Sequence, residues 1–279
     1  MMKVVAVWNV KGGVGKTETV LQLGRLLAAH YRVVLLDNDP AGSLSRTVLG
    51  AAVTDKMTGL YEGALTLHQA STSTPFGTRL RLVPSTVDLD SMIFRLERQR
   101  TDAARLGALH LALQRSAGYC DVVLIDHGPG ISYLSLNGLR AADLLLVPLR
   151  PEPNDVRGLV DVLAVVQELA GAGIKVPDPY LLMTMREQSA RHRVGSHILV
   201  ASGMVPQCCA GDPLAGEFQA VLNGMALPLV LGSIPMANGR DRTRRLAAAY
   251  ATVADALDPL VDEDGWFVGE WGKHETDAV

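Results

Sequence analysis

Short apolar runs alternate along this chain with stretches of helical spacing. Residues 4–8, 32–37, 80–83, 122–126, 144–147, 180–184 and 231–235 read as strands, with β-branched and leucine-rich runs of the kind a parallel sheet buries. After the first run, Val20, Leu21, Leu23, Leu26 and Leu27 follow the period of a helix. Met92, Leu96, Leu106, Leu109 and Leu113 predict one helix face across residues 90–115. Further helices are predicted over residues 156–169, ended by Gly171 and Gly173, over 194–201, and after Arg240. Residues 51–79 are rich in Thr, Ser, Gly and Ala and predict a short helix at 59–65 within a connecting loop. Strands alternating with helices give an α/β fold, with a mostly parallel, twisted sheet carrying helices on both faces.

The chemistry starts where the first strand ends. Lys11, Gly12, Gly13, Val14, Gly15, Lys16, Thr17 and Glu18 lead straight into a helix. In a strand, glycine loop and helix of this kind, backbone N–H groups cradle phosphates at the positive end of the helix dipole. Lys16 is expected along the β- and γ-phosphates, with the Thr17 hydroxyl on Mg²⁺. The strict pattern wants glycine where Val10 stands, and Lys11 is an additional cation. One lysine can point into its own phosphate site while the other neutralises charge elsewhere. Two later strands end in carboxylates, at Asp37-Asn38-Asp39-Pro40 and at Asp126-His127-Gly128-Pro129. Open parallel sheets bind ligands outside the carboxyl ends of their strands. Asp126, closing an apolar strand, is placed to hold Mg²⁺ directly or through water. His127 beside it reads as a space-filling loop residue.

The loop KGGVGKT resembles the deviant Walker A loop of the ParA/MinD family of ATPases, which also includes the nitrogenase iron protein. Residues 37–43 resemble that family's switch motif, with Ala41 and Ser43 in place of its glutamine and asparagine. Residues 132–159 resemble its Leu-Thr-Leu-Asn-Ala-Leu … Ala-Ala-Asp segment, and 231–235 its late strand ending in Ile-Pro. The resemblance spans about residues 2–257. It implies a single P-loop NTPase domain over 1–257, followed by an acidic tail over 258–279, with ATP and Mg²⁺ as cofactors. It implies that Thr17, Asp37 and Asp126 serve the metal, that Asp39 orients water or takes its proton, and that Gly12 to Glu18 surround the phosphates. Met185 and Pro235 fall beside the adenine. Lys11 is implied to reach across a nucleotide-sandwich homodimer to the partner's nucleotide, joining Lys16 and Asp39 as the catalytic set. Glu18 stands where the family has a second Thr or Ser, and a carboxylate there repels phosphates unless it points away or pairs with a cation. Met236 replaces an arginine that usually follows Ile-Pro.

Composition narrows the function. The net charge of −3 is uneven: residues 255–279 carry eight acids against Lys273, or −7, which leaves +4 on residues 1–254. Cys120, Cys208 and Cys209 form no disulfide framework, which suits a reducing cytoplasm. No apolar run reaches the roughly 18–20 residues a bilayer needs, and the start of the chain passes directly into the phosphate loop. Among the family's roles, a small ParA- or Soj-type partition ATPase matches best. It would form ATP-bound dimers on non-specific DNA, associated with the nucleoid, and a ParB-like cargo adaptor would stimulate their slow hydrolysis and release. Candidate DNA contacts are Arg191, Arg193, Arg240, Arg242, Arg244 and Arg245. The last four, with Asp241, make a local +3 that either neutralises phosphates or is a solvated helix start. Arg95, Arg98, Arg100 and Arg105 read as a solvated helix face. No helix-turn-helix is expected ahead of the loop. A MinD-like membrane regulator needs a basic amphipathic C-terminal helix, whereas this tail is acidic and broken by glycines. An iron-protein-like reductase needs a second cysteine that the matching loop lacks. A positioning ATPase for a non-DNA cargo shares all of this chemistry and is the alternative.

Overall fold

The computed structural model describes residues 2–150, 153–186, 229–235 and 248–255. The strands are β1 (Lys3–Val7), β2 (Val33–Asn38), β3 (Thr72–Thr74), β4 (Gly77–Val83), β5 (Val122–His127), β6 (Leu144–Leu149), β7 (Pro179–Arg186) and β8 (Leu229–Pro235). They form one sheet in the order β3-β4-β2-β5-β1-β6-β7-β8, parallel throughout except for β3, which runs antiparallel to β4. The helices are α1 (Lys16–Leu27), α2 (Ser43–Leu49), α3 (Met57–Tyr61), α4 (Leu67–Ala70), α5 (Asp90–Glu97), α6 (Asp102–Gln114), α7 (Tyr133–Ala141), α8 (Pro153–Gly171) and α9 (residues 248–255).

Strand periodicity sorts the core into two layers, because successive side chains point to opposite faces. Val5, Val7, Val33, Leu35, Val122 and Leu124 pack with Val20, Leu23 and Leu27 of α1, Leu44 and Val48 of α2, and Tyr250 and Val253 of α9. Val4, Ala6, Val34, Leu36, Val123 and Ile125 face Met57, Leu67, Met92, Leu109, Leu139 and Leu163, drawn from α3 to α8. The four central strands, β2, β5, β1 and β6, are covered on both sides, which explains their lack of polar alternation.

Chain order reverses direction at the centre: β1 leads outward to β2 on one side, and β5 leads to β6 on the other. The register sets Val7 opposite Asp126 and Asp126 opposite Asp37, so three strands end level at this switch point. That edge is where an open α/β sheet places its ligand.

Three expectations need correction. The single helix over 90–115 is two helices, because Thr101 is extended and its hydroxyl accepts from the Ala104 amide, starting α6 afresh. The loop over 51–79 contains α3, α4 and a hairpin, with Gly77 at φ 118° returning the chain into β4. The strand expected at 80–83 therefore begins three residues earlier. The helix predicted over 194–201, the start of the one after Arg240, and the acidic tail lie outside the described residues.

Candidate functional site

The phosphate loop joins β1 to α1 with Gly13 at φ 72° and Gly15 at φ 87°, left-handed conformations that side chains resist. Gly15 sits immediately before α1, and the first amides of that helix have no partner within it, leaving them for an anion. The loop is pinned on three sides. Asn9 donates through Nδ2 to the Pro148 carbonyl at 2.8 Å and accepts from the Lys11 amide at 2.9 Å. Thr184 donates to the Val14 carbonyl at 2.7 Å, tying β7 to the loop. On the third side the Trp8 indole donates to the Gly130 carbonyl, and the Gly130 amide donates to Val10.

Lys16 is buried, and its ammonium donates to the carbonyls of Lys11 at 2.8 Å and Asn9 at 3.2 Å. Burial lowers its pKa, and the nearby Asp126 and Asp39 carboxylates act against that. The Lys11 side chain takes the other direction, leaving the loop to lie along α8 at Gly158. Glu18 is exposed and accepts from Gln22, one turn along α1, rather than facing the loop. The repulsion its charge would exert on phosphates is relieved by that outward orientation.

Asp126 is fully buried, and neither carboxylate oxygen has a hydrogen-bond partner among the described residues. Desolvation pushes its pKa well above the usual carboxylate range, Asp37 adds to the rise, and the Thr17 hydroxyl and Lys16 oppose it. With its two oxygens open and a threonine hydroxyl beside it, this carboxylate supplies a hard oxygen donor set that fits Mg²⁺. Asp37, opposite Asp126 in the register, is already engaged. Its Oδ2 accepts from the Ser45 amide at 2.7 Å and the Ser45 hydroxyl at 2.6 Å, and burial lifts its pKa to about 6. In this arrangement Asp37 anchors α2, leaving the open oxygens to Asp126.

Asp39 lies beyond Asp37, half-buried, with Oδ1 accepting from the Ala41 amide at 2.9 Å. Gly128 permits its approach, since a Cβ there would sit 3.0 Å from Asp39 Oδ1. The Asp39 carbonyl accepts from the Ser85 hydroxyl, and the Ser85 amide donates to Ser45 Oγ. The switch segment is thus held from β2 through α2 to the end of β4. His127 is buried and neutral, with Nδ1 against the Val7 carbonyl and a pKa lowered by desolvation to about 4. It fills the space under α7, as the last residue of β5 rather than the loop residue expected.

Met185 and Pro235 fall at the carboxyl ends of the adjacent strands β7 and β8, where Arg186 pairs with Pro235. Arg191, Arg193, Arg240, Arg242, Arg244 and Arg245 lie outside the described residues. Of the solvated face expected on α5 and α6, exposed Arg95 pairs with Glu62, and Arg105, which is half-buried, pairs with exposed Asp102. Sequence reasoning missed Asn9, Ser45, Ser85 and Thr184. Each acts on the loop or switch from outside the motifs, and only the level strand ends bring them together.

The arrangement is a cradle for a nucleotide triphosphate and a divalent cation. Residues 2–175 match the AAA domain family. The chain is 32% identical over 204 residues to the chromosome partitioning protein ParA of Caulobacter vibrioides, covering 71% of this chain and 75% of that one. It is 36% identical over 161 residues to the chromosome partitioning protein ParA of Myxococcus xanthus, covering 56% of this chain and 55% of that one. Its fold is similar to cobyrinic acid a,c-diamide synthase of Mycobacterium smegmatis with bound ADP and magnesium, at 27% identity and a TM-score of 0.75, over 98% of this chain and 100% of that one. A complex of a Cyanothece McdA variant with ATP shares the fold at 20% identity and a TM-score of 0.73, over 93% and 96% of the two chains. With its two-lysine loop, level aspartates and matching relatives, this chain belongs to the ParA/MinD family of P-loop ATPases.

Proposed function

We propose that this protein is a partition ATPase that dimerises on binding Mg·ATP, holds non-specific DNA as a dimer, and is released when an adaptor stimulates hydrolysis. The observation that carries the reading is the divergence of the two lysines. Lys16 turns its ammonium into its own loop, while Lys11 leaves that loop and runs along α8. The residues supply the chemistry in turn. The amides at the start of α1 bind the phosphate chain, and Lys16 neutralises charge on the transferred phosphoryl group. Asp126 and Thr17 would hold Mg²⁺, which would supply neutralisation of the phosphate charge. Asp39 orients the attacking water from the switch loop, and Lys11 provides a cation to the partner's nucleotide. Hydrolysis then times the dimer rather than producing a metabolite. Similarity to partitioning proteins of two bacteria supports DNA as the cargo.

An amide-forming role, suggested by the synthase neighbour's name, would need a nucleophile or ammonia site beside the loop. The described cysteine, Cys120, is buried at the amino end of β5, away from that loop, with its thiol pushed up by desolvation. Among the described residues no helix is long and apolar enough to cross a membrane.

Co-sedimentation with random-sequence duplex DNA at low salt, with ATP, ADP or no nucleotide and with anionic liposomes alongside, tests the reading. DNA binding that needs ATP and falls steeply with salt is expected. ATP-dependent dimers that bind neither DNA nor liposomes would overturn DNA as the cargo and transfer the role to a protein scaffold.

A further inference from the structure

Resting on that reading of Lys11, we propose that Gly158 is a positioning residue that aims the lysine before a second subunit arrives. Gly158 is buried in the first half of α8. A Cβ at that position would lie 2.7 Å from Lys11 Cε, 2.8 Å from Cγ and 3.3 Å from Cδ. The lysine stem therefore lies flat on bare helix backbone from Cγ to Cε. Moving the ammonium alone does not relieve a clash at Cγ, so any larger residue forces the side chain into another rotamer.

Helix formation gives no reason for glycine here. Alanine is the best helix former and glycine among the poorest, and the neighbours Leu159, Val162 and Leu163 are buried as an ordinary core face. The contact with Lys11 explains the residue. The root of the lysine is held from the same direction, because its amide donates to Asn9, and Asn9 is bonded to Pro148 on β6, the strand that leads into α8. Root and stem are thus fixed by one segment, and a long side chain that would otherwise sample many rotamers is pre-organised.

The test compares the full-length protein with Gly158→Ala and Lys11→Ala, using light scattering with Mg·ATP, binding of a fluorescent ATP analogue, and amine labelling of Lys11 read by mass spectrometry against exposed Lys175. Gly158→Ala is expected to raise the apparent dimer dissociation constant roughly tenfold, the scale of freeing one long side chain. Lys11 labelling should rise several-fold relative to Lys175, with nucleotide affinity within about twofold of the parent. Undiminished dimerisation in Gly158→Ala overturns the proposal, and so does weakened dimerisation with unchanged Lys11 labelling, since the helix rather than the lysine would then carry the effect. Dimerisation of Lys11→Ala like the parent would instead refute the trans role of Lys11, while the labelling result still tests the Gly158 contact.

Discussion

Replacing Asp126 with asparagine should make the nucleotide-free protein more stable and at the same time remove its response to Mg·ATP. The carboxylate is fully buried at the end of β5 with both oxygens unpartnered, so the fold bears the cost of taking an ionisable group out of water. Asparagine keeps the shape and removes the charge, although its amide still needs partners. The net gain is about 1–2 kcal/mol, a rise in unfolding midpoint of about 2–3 °C for a chain of this size. The gain depends on pH with a definite sign. The Asp126 pKa is raised in the fold, so its penalty is absent below the unfolded carboxylate's pKa and complete above the raised folded value. The advantage of the variant should therefore shrink on acidification. With Mg·ATP at about a hundred times its dissociation constant, the parent gains about 2.7 kcal/mol, and the variant should lose the part that depends on metal. Thermal unfolding in EDTA and in Mg·ATP measures both effects, and the two proteins should exchange rank between conditions. A variant less stable than the parent in EDTA, or one stabilised equally by Mg·ATP, would refute the assignment of Asp126 as the cation's ligand.

Asp39→Ala should slow ATP turnover and prolong the dimer, read by phosphate release and by light scattering after ATP is depleted; undiminished turnover would remove Asp39 from the mechanism. Gly138→Ala should destabilise the protein by about 1–3 kcal/mol in urea unfolding, because a Cβ there would overlap the His127 ring packed beneath α7; a loss under about 0.5 kcal/mol would mean that α7 shifts freely. Tyr250→Phe should cost about 1 kcal/mol by removing the 3.3 Å contact between its hydroxyl and Thr19 Oγ1, which fastens α9 to α1; a neutral result would show that apolar packing alone seats α9.

The parallel sheet was legible because its strands are buried on both faces, so runs such as Val33 to Leu36 stand out without alternation. The hairpin at Thr72–Val83 was harder to read. Its β3 strand is three polar residues, and its signal is confined to Pro75 and Gly77 and to Arg79-Leu80-Arg81-Leu82 alternation. The break between α5 and α6 was hidden because Leu96 and Leu106 keep compatible faces on two separate helices that pack on one core. At the site, the motifs pointed to the residues proposed to meet a nucleotide but not to those that hold them in place. Ser45 reaches Asp37 from the first turn of α2, two residues past the switch, and Thr184 reaches Val14 from a strand 170 positions later. No local spacing encodes such contacts. The direction of Lys11 depends on Gly158, a residue that by itself reads as an ordinary helix glycine.

The measurement nearest the central claim is light scattering of the parent and Lys11→Ala with Mg·ATP, alongside binding of a fluorescent ATP analogue. The parent should double in mass with ATP but not ADP, and the Lys11→Ala protein should bind the analogue yet stay monomeric. ATP-dependent dimers of equal affinity in both proteins would contradict it.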